Sequence, residues 1–197
     1  MEKIYDVTAL GEMLIDFAVN GESEQGNQLF EACPGGAPCN VLAMLNKLGR
    51  KTAFIGKVGD DQFGKLLRDT ITNIGIEAKG LVMDQDIHTT LAFVHTFPDG
   101  DREFSFYRKP GADMMLKEEE VDYDLIRQSK VFHFGTLSMT DEPVKSATKK
   151  ALAVAKEADC MITFDPNLRP PLWKTLDEAK AQMEYGFENC DVLKISD

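Results

Sequence analysis

The stretch Pro34-Gly35-Gly36-Ala37-Pro38-Cys39-Asn40 sets two glycines immediately ahead of Val41, Leu45 and Leu48, apolar residues spaced for one face of a helix. Residues without side chains let a ligand or another backbone approach closely, and the first turn of a helix presents unpaired N–H groups at its positively polarised end. A start of this kind suits anionic or hydroxyl-rich ligands. The glycine pair by itself also reads as a tight turn. Neither G-x-x-x-x-G-K-[ST] nor G-x-G-x-x-G occurs in the chain, so the two standard nucleotide loops do not explain it.

Outward from this run, apolar stretches rich in β-formers fall at Tyr5–Leu10, Thr52–Val58, Val131–Phe134, Cys160–Phe164 and Val192–Ile195, most too continuous to have one wet face. They are read as buried parallel strands. Between them lie helical faces at Phe63, Leu67, Ile71 and Ile74, at Val144, Ala147, Ala151, Val154 and Ala158, and at Leu176, Ala179, Met183 and Phe187. Alternation of strand and helix predicts an α/β domain over residues 1–197, a doubly wound parallel sheet covered on both sides by crossover helices.

Two stretches break that rhythm, Met13–Val19 with Gln28–Ala32 and Leu91–Phe97 with Glu103–Tyr107, and read as short antiparallel strands near 13–32 and 90–108. Pro98-Asp99-Gly100-Asp101 suits the hairpin turn joining the second pair. Leu91, Phe93, Phe97, Phe104 and Phe106 are expected on one apolar face, which must cover something. It serves either as a lid over a cleft or as a plain extension or dimer contact.

Composition narrows the function classes. With 22 Lys plus Arg against 33 Asp plus Glu, the formal net charge of -11 repels a nucleic-acid backbone. No apolar stretch approaches the roughly 18 residues of a membrane span, and Met1–Leu10 lacks a secretory pattern, so a cytoplasmic protein is expected. Cys33, Cys39, Cys160 and Cys190 are too scattered for a disulfide framework, and no zinc-spaced pair occurs. His88, His95 and His133 form no ligand cluster and read as surface or satisfied core imidazoles; no metal site is expected on the chain itself. Lys117–Glu120 reads as a solvated face.

The glycine run continues through Leu48-Gly49 to Phe54-Ile55-Gly56-Lys57-Val58-Gly59-Asp60-Asp61-Gln62-Phe63-Gly64, and this whole stretch resembles the amino-terminal signature of the ribokinase family, the PfkB carbohydrate kinases. Four further blocks in order are similar to the fructokinase branch: Gly11-Glu12-Met13-Leu14-Ile15-Asp16-Phe17; Phe106-Tyr107-Arg108 with Gly111-Ala112-Asp113; His133-Phe134-Gly135-Thr136-Leu137-Ser138; and Asp165-Pro166-Asn167-Leu168-Arg169-Pro170-Pro171-Leu172-Trp173. The resemblance implies a ribokinase-like three-layer fold with a small β lid, a sugar held between lid and core, and ATP with Mg2+ beside it. The lid would be the contact of a homodimer.

The glycine run then meets the sugar and not the phosphates. The resemblance assigns Asp16, Gly35, Gly36, Asn40, Phe106 and Arg108 to the sugar, and Asn167, Arg169 and Lys194 to the nucleotide. A carboxylate such as Asp16 accepts bonds from sugar hydroxyls, and an amide such as Asn40 both donates and accepts. Each has a plainer alternative: a solvated Asp, an Asn bonding its own backbone, an Arg108 whose stem covers Phe104 or Phe106, and a turn at Asp165-Pro166-Asn167. Trp173 and Leu172 read as core packing.

Phosphoryl transfer needs a base or orienting carboxylate for the attacking hydroxyl, which this family supplies from a D-T-x-G-A-G-D motif. That motif is absent from the 197 residues, and Val192–Asp197 resembles the strand before the family's metal-associated acidic motif. The chain is thus expected to be the amino-terminal part of a longer kinase, acting on D-fructose at its 6-hydroxyl and inactive alone. The alternatives are a 2-keto-3-deoxygluconate kinase and a non-catalytic sugar-binding module.

Overall fold

The computed structural model describes residues 2–97 and 101–195. Along the chain the elements run β1 (Tyr5–Leu10), β2 (Leu14–Glu22), β3 (Gln28–Gly35), α1 (Ala37–Lys47), β4 (Thr52–Gly59), α2 (Gln62–Asn73), β5 (Glu77–Asp84), β6 (Leu91–Thr96), β7 (Arg102–Tyr107), α3 (Tyr123–Arg127), β8 (Ser129–Gly135), α4 (Val144–Glu157), β9 (Met161–Asp165), α5 (Leu176–Asn189) and β10 (Val192–Leu193). The continuous apolar runs form a six-stranded parallel sheet in the order β10-β9-β8-β1-β4-β5. The chain winds from β1 toward β5 and then returns to build the other half from β8. The direction therefore reverses at β1, the position in open α/β sheets where ligands meet the carboxyl ends of strands.

Side chains of the central strands alternate between two dry layers. Leu10, Ile55, Phe132, Phe134 and Phe164 pack toward α3, α4 and α5, while Ala9, Phe54 and Val58 pack with Leu42 of α1 and with Leu67 and Ile71 of α2. Burial of one such large side chain contributes about 1.5–3 kcal/mol, and two occupied faces explain the lack of polar alternation in these strands. Asp61 caps α2 by accepting from Gly64 N at 2.8 Å and also accepts from Thr89 N at 2.8 Å, tying this helix to the entrance of β6. No helix among the described residues is long and apolar enough to cross a membrane.

A separate four-stranded mixed sheet has the order β3-β2-β6-β7. Its register corrects the single apolar face expected above. Leu91 stands opposite Tyr107 and Phe93 opposite Ser105, so Phe104 and Phe106, opposite Val94 and Ala92, lie on the other side. One face gathers Phe17, Phe30, Phe93 and Tyr107 in ring contacts of 5.0–5.4 Å. The other presents Phe104 stacked on Phe106 at 5.9 Å. The turn expected at Pro98-Asp99-Gly100-Asp101 lies, for residues 98–100, outside the described residues, although Phe97 N donates to Asp101 O at 2.8 Å across its base.

Other departures have local causes. The strand Glu77–Asp84 escapes the apolar pattern because it is a sheet edge, where Glu77 and Lys79 are tolerated. On α1 the buried side is Cys39 and Leu42, while Leu48 is exposed, because the flank bearing Asn40 and Val41 faces a cleft. The terminal strand is shorter than Val192–Ile195, with Ile195 exposed. Glu120 is not simply solvated: it pairs with the buried Lys57 at 2.8 Å, which also meets Asp84 at 2.8 Å.

Candidate functional site

Beyond the carboxyl ends of β8, β9 and β10, and beside the start of α1, lies a cleft of about 850 Å³. Phe104 and Phe106 of β7 overhang it, so the smaller sheet acts as its cover. Cleft-facing positions follow from register: Asp16 stands beside Ala92, and Ala92 beside Phe106, which puts all three on the same side of the sheet.

Asp16, Gly36, Asn40 and Phe106 come together along this cleft. The Asp16 carboxylate has no hydrogen-bond donor among the described residues, and partial burial raises its pKa while the charge of Arg169 opposes the rise. Gly35 lies behind it; a Cβ there would sit 2.5 Å from Asp16 Oδ2, so this glycine leaves room for the carboxylate. Gly36 has φ of 122°, in the region that favours glycine, and a Cβ on it would meet the Glu12 carbonyl at 2.4 Å. The Asn40 side-chain amide has no partner among the described residues and stands exposed at the helix start.

Arg108 is placed elsewhere. Its side chain is 3% exposed; Nε donates to Asp113 Oδ2 at 2.7 Å, Nη1 to Thr140 Oγ1 at 3.1 Å and Nη2 to Leu137 O at 2.9 Å. Thr90 Oγ1 closes the group on the other carboxylate oxygen at 2.5 Å. Neither a sugar contact nor an exposed cover for the phenylalanines matches this geometry. Arg108 follows β7 and Thr90 precedes β6, so the entry to β6 and the exit from β7 are fastened to one buried carboxylate.

Asn167, Arg169 and Lys194 do line the cleft, on the wall formed after β9 and β10. The turn expected as the plainer alternative is present too: Asn167 N donates to Asp165 Oδ1 at 3.1 Å, and Asn167 takes a φ of 37°. Lys194 Nζ lies 3.4 Å from Asp165 Oδ2. Arg169 donates to the carbonyl of Leu168 at 3.3 Å and lies 5.4 Å from the Phe104 ring, which leaves most of its donors without a partner among the described residues. One amide and two cations on one wall fit the phosphates of a nucleotide. Among the described residues no group of three or more His, Cys, Asp or Glu side chains is arranged to hold a metal.

Two cleft residues were missed in the sequence. Glu12 is 3% exposed and its Oε1 accepts from Ala37 N at 2.9 Å. Burial, the largest influence, pushes its carboxyl up to about 7. His133 is a satisfied imidazole, with Nδ1 2.9 Å from Thr163 Oγ1, yet it also lines the cleft; burial lowers its pKa. Period-two alternation opposite Phe132 and Phe134 was the available signal for His133, and the adjacency of Glu12 to the end of β1 was the signal for Glu12.

Comparison with known proteins identifies what the chain is similar to. The model of the pfkB family carbohydrate kinases matches residues 5–197. Fructokinase-2 of Solanum lycopersicum is 47% identical over 193 residues, covering 97% of this chain. This chain spans 59% of that relative's length. A fructokinase from Xylella fastidiosa, 32% identical, superposes on 98% of this chain and 59% of its own with a TM-score of 0.90. A fructokinase double mutant from Vibrio cholerae, solved with fructose, ADP and potassium ion, is 29% identical and superposes on 99% of this chain and 61% of its own with a TM-score of 0.85. With this family match over nearly its whole length, the chain belongs to the pfkB family of carbohydrate kinases.

Proposed function

We propose that the chain forms the sugar-holding part of an ATP-dependent kinase that converts D-fructose to fructose 6-phosphate. The observation that carries this reading is the meeting of an unpaired carboxylate, Asp16, an unpaired amide, Asn40, and a side-chain-free helix start, Gly36, under the Phe106 cover. Sugar hydroxyls both donate and accept, and this set offers both partners. Phe104 and Phe106 would close over the ring and exclude water. Similarity to fructokinases supports fructose in particular.

ATP, when bound, supplies the phosphoryl group; Asn167, Arg169 and Lys194 would hold its phosphates, and Arg169 would neutralise charge there. Magnesium would arrive with the nucleotide, its ligands being phosphates and water. The 197 residues hold no glycine-flanked aspartate of the family's base motif, so on their own they should turn over negligibly, a base being worth on the order of 10²–10⁴ in rate. A cytoplasmic location, and a dimer through the outer aromatics Phe30, Phe93 and the 65% exposed Tyr107, belong to the same proposal.

The acid substrate 2-keto-3-deoxygluconate fits less well, because Arg108 is committed to Asp113 and leaves Arg169 and Lys194, the proposed phosphate partners, as the cleft's cations among the described residues. Calorimetry of residues 1–197 with fructose, and a coupled phosphorylation assay on the kinase carrying this sequence with both sugars, test the proposal. Fructose turnover well above that of the acid is expected; equal turnover or preference for the acid overturns the choice of acceptor. A folded chain that binds no sugar would remove the roles given to Asp16 and Asn40.

A further inference from the structure

We infer that Glu12 is a positioning residue of the cleft, whose carboxylate reaches across from the turn after β1 to hold the first N–H of α1 and so sets where Gly36 and Asn40 stand. The second half of this statement rests on the sugar reading of the cleft; the first does not.

The start of α1 lacks a cap of its own. Gly36 occupies the capping position without a side chain, and Pro38 has no N–H, so Ala37 N is the leading donor of the helix. Its partner comes from 25 residues earlier in the chain, Glu12 Oε1 at 2.9 Å. The backbones touch as well, since a Cβ on Gly36 would lie 2.4 Å from the Glu12 carbonyl and 3.1 Å from Met13 Cα. Asn40 N donates to Gly36 O at 3.0 Å, so a shift of the first turn moves the cleft-facing amide with it.

This tie changes strength with protonation. An ionised carboxylate makes a charge-assisted bond to an N–H, roughly twice as strong as a neutral one. Burial raises the Glu12 carboxyl to about 7; its own backbone N–H and that of Ala37 oppose the rise. The charged and titratable neighbours are Asp113, which adds to it, Arg108, which opposes it, and the buried Cys39 thiol of α1, itself raised by burial and by Glu12. The grip on α1 is therefore firmer above neutrality than below it.

Amide resonances of residues 1–197, followed from pH 5 to 8.5, test both halves. The Ala37 amide should shift in one step with a midpoint near 7, and the step should vanish in Glu12→Gln; an Ala37 amide that stays flat in the unsubstituted chain overturns the tie. Should Glu12→Gln not fold, glutamate labelled with 13C at its carboxyl must show a resonance with the same midpoint as Ala37, and its absence counts equally against it. Fructose affinity, read from the Gly36 and Asn40 amides, should rise about tenfold from pH 6 to 8 in the unsubstituted chain and less than twofold in Glu12→Gln. Equal affinity at both pH values, with the Ala37 step present, overturns the positioning role. No fructose response at any pH sinks the sugar reading and the positioning role with it, while the Ala37 step still decides the tie.

Discussion

Two arginines stand at the two sides of the lid, and they are used in opposite ways. Arg108 is dry and fully engaged by Asp113, Thr140 and the Leu137 carbonyl. Arg169, half-buried, bonds one neighbouring carbonyl and lies against Phe104. Burial raises the pKa of two carboxylates four residues apart, and each arginine opposes one of those rises, Arg108 at Glu12 and Arg169 at Asp16. A guanidinium whose donors are mostly spent on buried partners fastens the ends of β6 and β7, and one with donors to spare lines the cleft.

Removing Arg108 should have the largest effect. Arg108→Met leaves the Asp113 carboxylate, 2% exposed, without its counter-ion, and breaking one half of a buried pair costs about 3–5 kcal/mol. Urea unfolding of the chain measures this, and adding Asp113→Asn should recover part of the loss. A loss under about 1 kcal/mol would mean that Arg108 is no more embedded than Arg169 and would dissolve the contrast.

The same contrast marks what a sequence reader sees. Parallel strands were legible in Thr52–Val58 and Val131–Phe134 because a strand buried on both faces is predominantly apolar, with Lys57 and His133 held by polar partners. The glycine run was legible because Gly36 adopts a backbone that disfavours other residues. Arg108 was not. An arginine following Phe106-Tyr107 has the same local pattern whether it points to the cleft or to Asp113, and the deciding atoms, Thr140 Oγ1 and Leu137 O, lie 32 and 29 residues away. Lid faces failed for a related reason: each strand alternates clearly, but which parity of β7 matches which parity of β6 depends on the turn between them. Glu12 was hidden because its significance is burial, and a carboxylate beside a strand end looks solvated until a helix closes over it.

A second, smaller effect separates the carboxylates. Glu12 titrates near 7 in the folded protein against an ordinary value of 4.5, so between these values the native state holds the proton more tightly than the unfolded chain. Its contribution to stability is therefore greatest below about pH 4.5, falls as the pH rises and is lowest above 7. A shift of this size corresponds to on the order of 3 kcal/mol. Glu12→Gln should flatten that slope, so that its stability relative to the unsubstituted chain improves from pH 5 to 8. Arg108→Met should move the midpoint of Glu12 further up, since the arginine's charge holds it down. An unchanged midpoint would show that Arg108 acts on Asp113 alone.

Arg169→Ala should change stability least. A cation on an aromatic ring outside the dry core contributes about 0.5–1 kcal/mol, and here it is the contact with Phe104 that is lost. Its signature is electrostatic: without the arginine, Asp16 should titrate at a higher pH, because burial already raises its pKa and the opposing charge is gone. Carboxyl resonances of Asp16 followed by NMR in both chains measure the difference. If Arg169 is spent inside the protein in the manner of Arg108, the substitution would cost several kcal/mol and leave Asp16 where it was. A small loss of stability together with a rise at Asp16 is the outcome that places the two arginines in separate roles, one fastening the ends of β6 and β7 and the other answering charge in the cleft.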